Sequence, residues 1–202
     1  MFYVFPRVVD LDVCDDIVKS CKKTTLEKAS VLDHNKSSID DPKIRKTSIS
    51  FIKDDRINEL AWHFLKEANR KQFHYDLEYF LPIQFGEYKD GGFYDWHHDH
   101  DQESPSNKLF LQRSGLRNGI RKLSLTLVLS DPDTFEGGEF QFYNGGRPMN
   151  DMGDVPAEQI KEDIQAKGTI VVFDSRDWHR VTPVTKGVRH SVVCWCVGPN
   201  FK

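Results

Sequence analysis

The most specific chemistry in this 202-residue sequence lies in three side chains that the chain must bring together from far apart. His97 and Asp99 close the run Tyr88-Lys-Asp-Gly91-Gly92-Phe-Tyr94-Asp-Trp-His97-His98-Asp99. His179 opens His179-Arg-Val-Thr-Pro-Val-Thr-Lys-Gly187-Val-Arg189-His-Ser191, 82 residues after His97 (179 minus 97). Residues two apart on an extended strand project to one side, so His97 and Asp99 can share an ion. Two neutral imidazoles and one carboxylate on one face of a metal leave three positions open, the donor set of mononuclear Fe(II) sites. The bland alternative is a polar patch at a strand end. His-x-Asp alone is a weak signal, because His74-Tyr75-Asp76 has the same spacing. That second triplet lacks the Gly- and Tyr-rich lead-in and a paired downstream element, and it is assigned no metal.

Arg189 follows His179 by ten residues, and a guanidinium fork matches a carboxylate through two parallel hydrogen bonds. Period-two alternation puts Arg189, Ser191, Val193 and Trp195 on one face of their strand, opposite His190, Val192, Cys194 and Cys196. An arginine on an inward face needs an anion, since an unpaired buried charge is costly. That anion is either a bound ligand or a structural salt-bridge partner. Ser191 can add a hydroxyl donor on the same face. Tyr88 can donate its phenol to the same ligand or serve as a core tyrosine. His98 and His100 are expected to line the entrance or face away. Trp96, Trp178 and Trp195 flank the site as packing, with Trp178 a candidate wall. Glu136-Gly137-Gly138-Glu139 is read as a turn without chemistry. Lys108, Arg113, Arg117, Arg121 and Lys122 are read as a solvated basic loop.

Positioning these groups takes strands. Residues 2–9 read as a strand, and Asp10 as the cap of a helix to Lys22 with Leu11, Cys14, Ile17, Val18 and Cys21 on one stripe. Residues 24–48 are polar and weakly patterned, followed by an edge strand over 47–52. A second helix spans Asp54 to Arg70, where Ile57, Leu60, Ala61, Phe64, Leu65 and Ala68 follow helical spacing. From Leu77 the period falls to two, predicting strands at 79–88, 93–98, 121–130, 138–143, 168–174, 179–184 and 188–197. Residues 100–121 read as a long polar loop, and 155–166 as a short helix begun by Pro156. Leu123, Leu125, Leu127 and Leu129 share the face expected to meet the helices, leaving Ser124, Thr126 and Val128 to point inward. Helices followed by many short strands predict a mostly β (α+β) antiparallel sandwich with helices packed on one sheet.

Composition bounds the rest. A single domain over 1–202 is expected, with 1–75 as N-terminal helical support and 76–202 as core. A formal charge of -3 gives no global reason to expect nucleic acid or an anionic membrane. No apolar run approaches the roughly 18 residues of a membrane span. The N-terminus lacks a charged region followed by a cleavable apolar one, and the four cysteines form neither a disulfide framework nor a zinc knuckle, so a cytoplasmic setting is expected.

The motifs resemble the prolyl-4-hydroxylase-like branch of the 2-oxoglutarate- and Fe(II)-dependent dioxygenases, including the PKHD-type hydroxylases. The resemblance covers residues 79–198 through Tyr88-x-x-Gly91-x-x-Tyr94-x-x-His97-x-Asp99, the Leu-Ser-Leu-Thr-Leu run from Leu123, and His179-x-Val-x-Pro-Val-x-x-Gly187-x-Arg189-x-Ser191 with Trp195. It implies a double-stranded β-helix (a jelly roll) with the N-terminal helices on its major sheet. It also implies Fe(II) held by His97, Asp99 and His179, and 2-oxoglutarate gripped by Arg189. O2 as co-substrate, and ascorbate as a supporting reductant, belong to the same implication. Val128 stands where many relatives place a tyrosine, so Tyr88, Thr126 or Ser191 is expected to compensate in holding the cosubstrate. Arg189 replaces the lysine of the animal collagen enzymes, Asp99 argues against the halogenases, and Trp195 in place of a second arginine disfavours nucleic-acid repair. A peptide or protein prolyl substrate is favoured on this resemblance. A free amino acid or other small molecule is the first alternative, and a non-catalytic metal-binding module the second.

Overall fold

The computed structural model describes residues 2–29, 31–32, 38–39, 41–100, 119–143 and 162–201. Among these, two helices and fifteen strands follow in chain order: β1 (Phe2–Phe5), α1 (Leu11–Cys21), β2 (Glu27–Lys28), β3 (Val31–Leu32), β4 (Ser38–Ile39), β5 (Arg45–Lys46), β6 (Ser48–Phe51) and α2 (Asp55–Ala68). Then come β7 (Tyr79–Phe80), β8 (Gln84–Lys89), β9 (Phe93–His97), β10 (Ile120–Val128), β11 (Phe135–Gly137), β12 (Phe140–Phe142), β13 (Ile170–Asp174), β14 (His179–Val181) and β15 (Val184–Gly198). A major sheet runs β1-β13-β10-β15-β8-β6-β2, with β7 and β11 also paired to β15, and a minor sheet runs β12-β14-β9-β5. All pairings in both sheets are antiparallel. This is the jelly-roll sandwich expected, and residues 1–75 supply strands to both of its sheets as well as the helices.

Alternation assigns the faces of the major sheet. Leu123, Leu125, Leu127, Leu129, Val192, Cys194 and Cys196 pack with Cys14, Ile17, Ala61 and Leu65 of the helices in one buried cluster. A second cluster, including Tyr88, Tyr94, Phe140, Phe173, Val181 and Val184, fills the space between the sheets. Burying an aliphatic side chain of this kind stabilises by about 1.5–3 kcal/mol, and the first cluster ties the helices to the sheet that carries Arg189. All four cysteines are free and buried, and burial raises the thiols of Cys14 and Cys21 to about 11.

The departures from the sequence reading have local causes. β1 stops at Phe5 because Arg7 takes a positive φ of 49°, which turns the chain toward α1. Asp10 occupies the N-cap of α1 without a side-chain cap bond, and Leu11 is 56% exposed, one turn short of the buried stripe. Asp54, by contrast, caps α2 by accepting from the Arg56 amide. α2 loosens into a π-turn at Asn69–Phe73 and ends at His74, which adopts a left-handed φ of 56°. The strand expected at 79–88 is split around Pro82, which has no amide hydrogen to give the ladder. The strand expected at 138–143 is β12 alone, starting at Phe140 after the positive φ of Gly138, and β11 is an unexpected strand just before it. The segment 24–48 holds β2 to β5 rather than loop alone, and β6 lies between β8 and β2 instead of at the edge. Arg121 and Lys122 are buried within β10 and are not part of a solvated loop. Lys108, Arg113, Arg117 and most of the 100–121 loop lie outside the described residues, as does the start of the 155–166 helix; its described end is a 3-10 turn at Glu162–Gln165.

Candidate metal and anion site

The three-residue connection from β8 to β9, Asp90 to Gly92, has Asp90 and Gly91 at φ of 52° and 77° and is closed by the Gly92 amide donating to Lys89 O at 2.8 Å. Positive φ at these two residues lets the chain turn sharply from the major sheet, which holds β8, into the minor sheet, which holds β9. Gly92 is required there, because a Cβ would stand 2.8 Å from the Lys89 nitrogen and 2.9 Å from the Lys46 oxygen. β9 then pairs with β14 so that His97 and His179 are direct cross-strand partners. Asp99, just past β9, is fixed by its own amide donating to Ser175 O at 2.8 Å.

Cross-strand pairing makes the donors converge. One ligand atom from each of His97, Asp99 and His179 lies within 4.8 Å of the others, the only such metal-capable trio among the described residues. Asp99 Oδ1 is 3.9 Å from His97 Nε2, and Oδ2 is 3.6 Å from His179 Nε2. Bonds of about 2.1 Å to one ion place two donors about 3.0 Å apart at a right angle and about 4.2 Å apart at the linear limit, so both separations fit a shared metal. His97 Nδ1 meets Asp95 O at 2.7 Å and His179 Nδ1 meets Asp177 O at 2.9 Å. A carbonyl can only accept, so each Nδ1 carries the proton and each Nε2 lone pair faces the ion position. Burial and the neighbouring His179 press His97 well below the usual imidazole pKa, holding it neutral as a ligand must be. Burial opposes the charge on Asp99, but His179, His97, Arg121 and the hydroxyl of Ser124 outweigh it and bring its pKa to about 2.

Two supports of this trio escaped the sequence reading. Ser124 Oγ donates to Asp99 Oδ2 at 2.8 Å and meets Ser175 Oγ at 2.9 Å. Tyr94 stacks on His97 with ring centroids 3.4 Å apart, and the Arg45 guanidinium lies 4.4 Å over the Tyr94 ring. The inward alternation of β10 pointed toward Ser124. Arg45, in a stretch without pattern, gave no signal.

Arg189 lines the same cavity and is 1% exposed. Its Nη1 donates to Ser191 Oγ at 3.3 Å, while its Nε is buried without a hydrogen-bond partner. Among the described residues it has no carboxylate partner, which removes the structural salt-bridge alternative there. Burial lowers its pKa, countered only by Tyr88, whose ring centroid is 5.3 Å from Cζ. Among the described residues this guanidinium has no counter-charge, which leaves it able to accept an anion. Tyr88, Ser191 and Thr126 line this cavity with Arg189, and Val128 is buried beside Ser191 in register. Gly138, read from sequence as a plain turn residue, also serves this arginine: a Cβ there would lie 3.0 Å from Arg189 Cδ.

The other expectations divide. Trp195 lines the cavity, with Arg121 stacked 4.2 Å from its ring. Trp96 faces away, against Arg180 and Tyr143, and Trp178 packs edge-on against His98 at 4.9 Å. His100 Nδ1 bonds Arg121 O at 3.1 Å. The second triplet does not converge; Tyr75 instead donates its phenol to Asp174 at 2.5 Å.

Comparison with known proteins bears on the family and the fold. A PKHD-type hydroxylase of Teredinibacter turnerae is 34% identical over 118 residues, 58% of this chain and 43% of that protein. The chain thus aligns with less than half the length of this curated relative. A crystal structure of a Pseudomonas putida prolyl-4-hydroxylase superposes with a TM-score of 0.67 at 20% identity, covering 98% of this chain and 92% of that one. A prolyl hydroxylase from Trichoplax adhaerens, in complex with a hypoxia inducible factor oxygen degradation domain peptide fragment, gives 0.60 at 14% identity over 97% and 83%. Both likenesses bear on the fold. The family model for the 2OG-Fe(II) oxygenase superfamily matches residues 83–197, from β8 to the end of β15. With more than half of its length inside that match, the chain belongs to the 2OG-Fe(II) oxygenase superfamily.

Proposed function

We propose that this protein is a 2-oxoglutarate- and Fe(II)-dependent dioxygenase that hydroxylates a C–H bond, with a prolyl residue of a peptide or protein as its substrate. His97, Asp99 and His179 hold the metal; Arg189, with Ser191, Tyr88 and Thr126, binds the distal carboxylate of 2-oxoglutarate. When bound, Fe(II), 2-oxoglutarate and O2 supply the oxidation, which releases succinate and CO2. The residues of the chain orient the reactants: the Nδ1 bonds of both histidines fix their tautomers, Ser124 fixes the Asp99 carboxylate, and the second cluster of apolar side chains excludes water. Residues 1–202 act as one oxygenase domain.

The observation that carries this reading is a fully buried Arg189 without a carboxylate partner among the described residues, in the cavity that the His-Asp-His trio also lines. The prolyl substrate rests on the named prolyl hydroxylases that share the fold, and the hydroxylation on the PKHD-type hydroxylase relative. The test incubates the protein with Fe(II), ascorbate, 2-oxoglutarate and a prolyl peptide library. It expects succinate, and a product heavier by one oxygen atom on proline. Absence of succinate at any metal loading refutes the enzyme; succinate with oxygen on another residue refutes the prolyl substrate.

A further inference from the structure

A basic cleft opens beside the iron cavity, lined by Lys28, Arg45, Lys46 and Lys89 with the acidic Glu87 and Asp90. Among the described residues, Arg45 alone lines both spaces and so lies between them. Glu87 is already held, by Lys89 at 3.1 Å and by His190 at 3.2 Å. Lys46 donates to the main-chain carbonyl of Asp90, which leaves its charge uncompensated. Arg45 bonds the neutral amide oxygen of Gln84 at 3.0 Å and stacks on Tyr94, while its Nε is buried without a hydrogen-bond partner. Like Arg189, it has no carboxylate partner among the described residues, but it is only partly buried and borders the cleft as well as the cavity.

We infer that Arg45 and Lys46 are specificity residues that recognise an acidic side chain flanking the residue delivered to the iron. This rests on the peptide-hydroxylase reading above. A substrate reaching both the iron cavity and the cleft must pass Arg45, which an extended polypeptide does and a compact molecule does not. An acidic flank completes the donor set of Arg45 with a charge-assisted pair, at a site whose existing partners are all neutral.

The test uses the whole protein with Mn(II) and 2-oxoglutarate, and two capped, fluorescently labelled peptides. Each carries one central proline, flanked by glutamates in one and by glutamines in the other. The glutamate peptide is expected to bind about tenfold tighter by anisotropy, with the preference shrinking as salt rises. Arg45→Gln is expected to bring the two peptides within about threefold, Lys46→Gln to remove part of the preference, and Arg45→Lys to retain most of it. Arg45→Glu should reverse the preference toward a lysine-flanked peptide. Equal binding of both peptides to the native protein, or a preference unchanged in Arg45→Gln and Lys46→Gln, overturns the role assigned to the cleft while leaving the peptide substrate standing. Failure of every peptide to bind overturns the peptide reading itself, and this inference with it.

Discussion

Replacing Arg189 by leucine separates a functional arginine from a structural one, because the two roles predict opposite signs. The guanidinium is buried with its Nε unbonded and only a 3.3 Å contact to Ser191. Substituting an apolar side chain removes a desolvated charge and an unsatisfied donor, changes that are neutral or stabilising by about 1–3 kcal/mol when no partner is orphaned. Affinity for 2-oxoglutarate moves the other way. Truncating one side of a buried, hydrogen-bonded charge pair costs about 2–5 kcal/mol, or roughly 30-fold to several thousand-fold in Kd at tenfold per 1.4 kcal/mol. Calorimetric titration of 2-oxoglutarate into the Mn(II)-loaded protein reads the affinity, and thermal melting without ligand reads the stability. The expected Arg189→Leu variant melts no lower than the native protein and is no longer raised in Tm by 2-oxoglutarate. A variant that melts several degrees lower while binding 2-oxoglutarate normally would refute the reasoning.

Other perturbations test neighbouring parts. His97→Ala, Asp99→Ala and His179→Ala should each abolish tight Mn(II) binding by calorimetry while leaving the far-ultraviolet circular dichroism unchanged, since no other trio of donors converges among the described residues. Ser124→Ala frees Asp99 Oδ2; loss of such a supporting bond should weaken metal binding by about 10- to 100-fold. Gly138→Ala places a methyl against Arg189 Cδ at a left-handed φ of 65° and should weaken 2-oxoglutarate binding without touching metal affinity, as measured by separate titrations. Burial opposes the charge on Asp174, but Arg176 and Tyr75 outweigh it and hold its pKa below the ordinary value. Its stabilisation is therefore complete above the unfolded pKa, near about 3.9, and is lost as pH falls through the lower folded value. Asp174→Asn should remove about 1–3 kcal/mol at neutral pH and flatten the acid limb of the urea-unfolding stability profile below about pH 4.

How much of this was legible in the sequence follows from how local each signal is. The leucine face of β10 and the inward Arg189 and Ser191 could be read directly, because period-two alternation is a property of the strand alone. His97 and Asp99 were readable as a pair for the same reason. Their meeting with His179 depends on the β9–β14 register, which sequence spacing does not encode and the family motifs supplied. Arg121 and Lys122 depart from the solvated-loop reading because aromatic faces accept their charged ends, the Arg121 guanidinium 4.2 Å from the Trp195 ring and the Lys122 ammonium 3.3 Å from the Phe201 ring. Arg45 was invisible for a different reason: a two-residue strand has no periodicity to detect, and its place on the cavity wall comes from the minor sheet pairing β5 to β9.

The central claim is that His97, Asp99 and His179 bind one ion with Arg189 aimed at a carboxylate behind it. Anomalous diffraction from crystals grown with Mn(II) and 2-oxoglutarate tests it most directly. The account predicts a single strong peak within bonding distance of both Nε2 atoms and an Asp99 oxygen, with the distal carboxylate against the Arg189 guanidinium. A peak elsewhere, or a 2-oxoglutarate whose distal carboxylate lies away from Arg189, would contradict it.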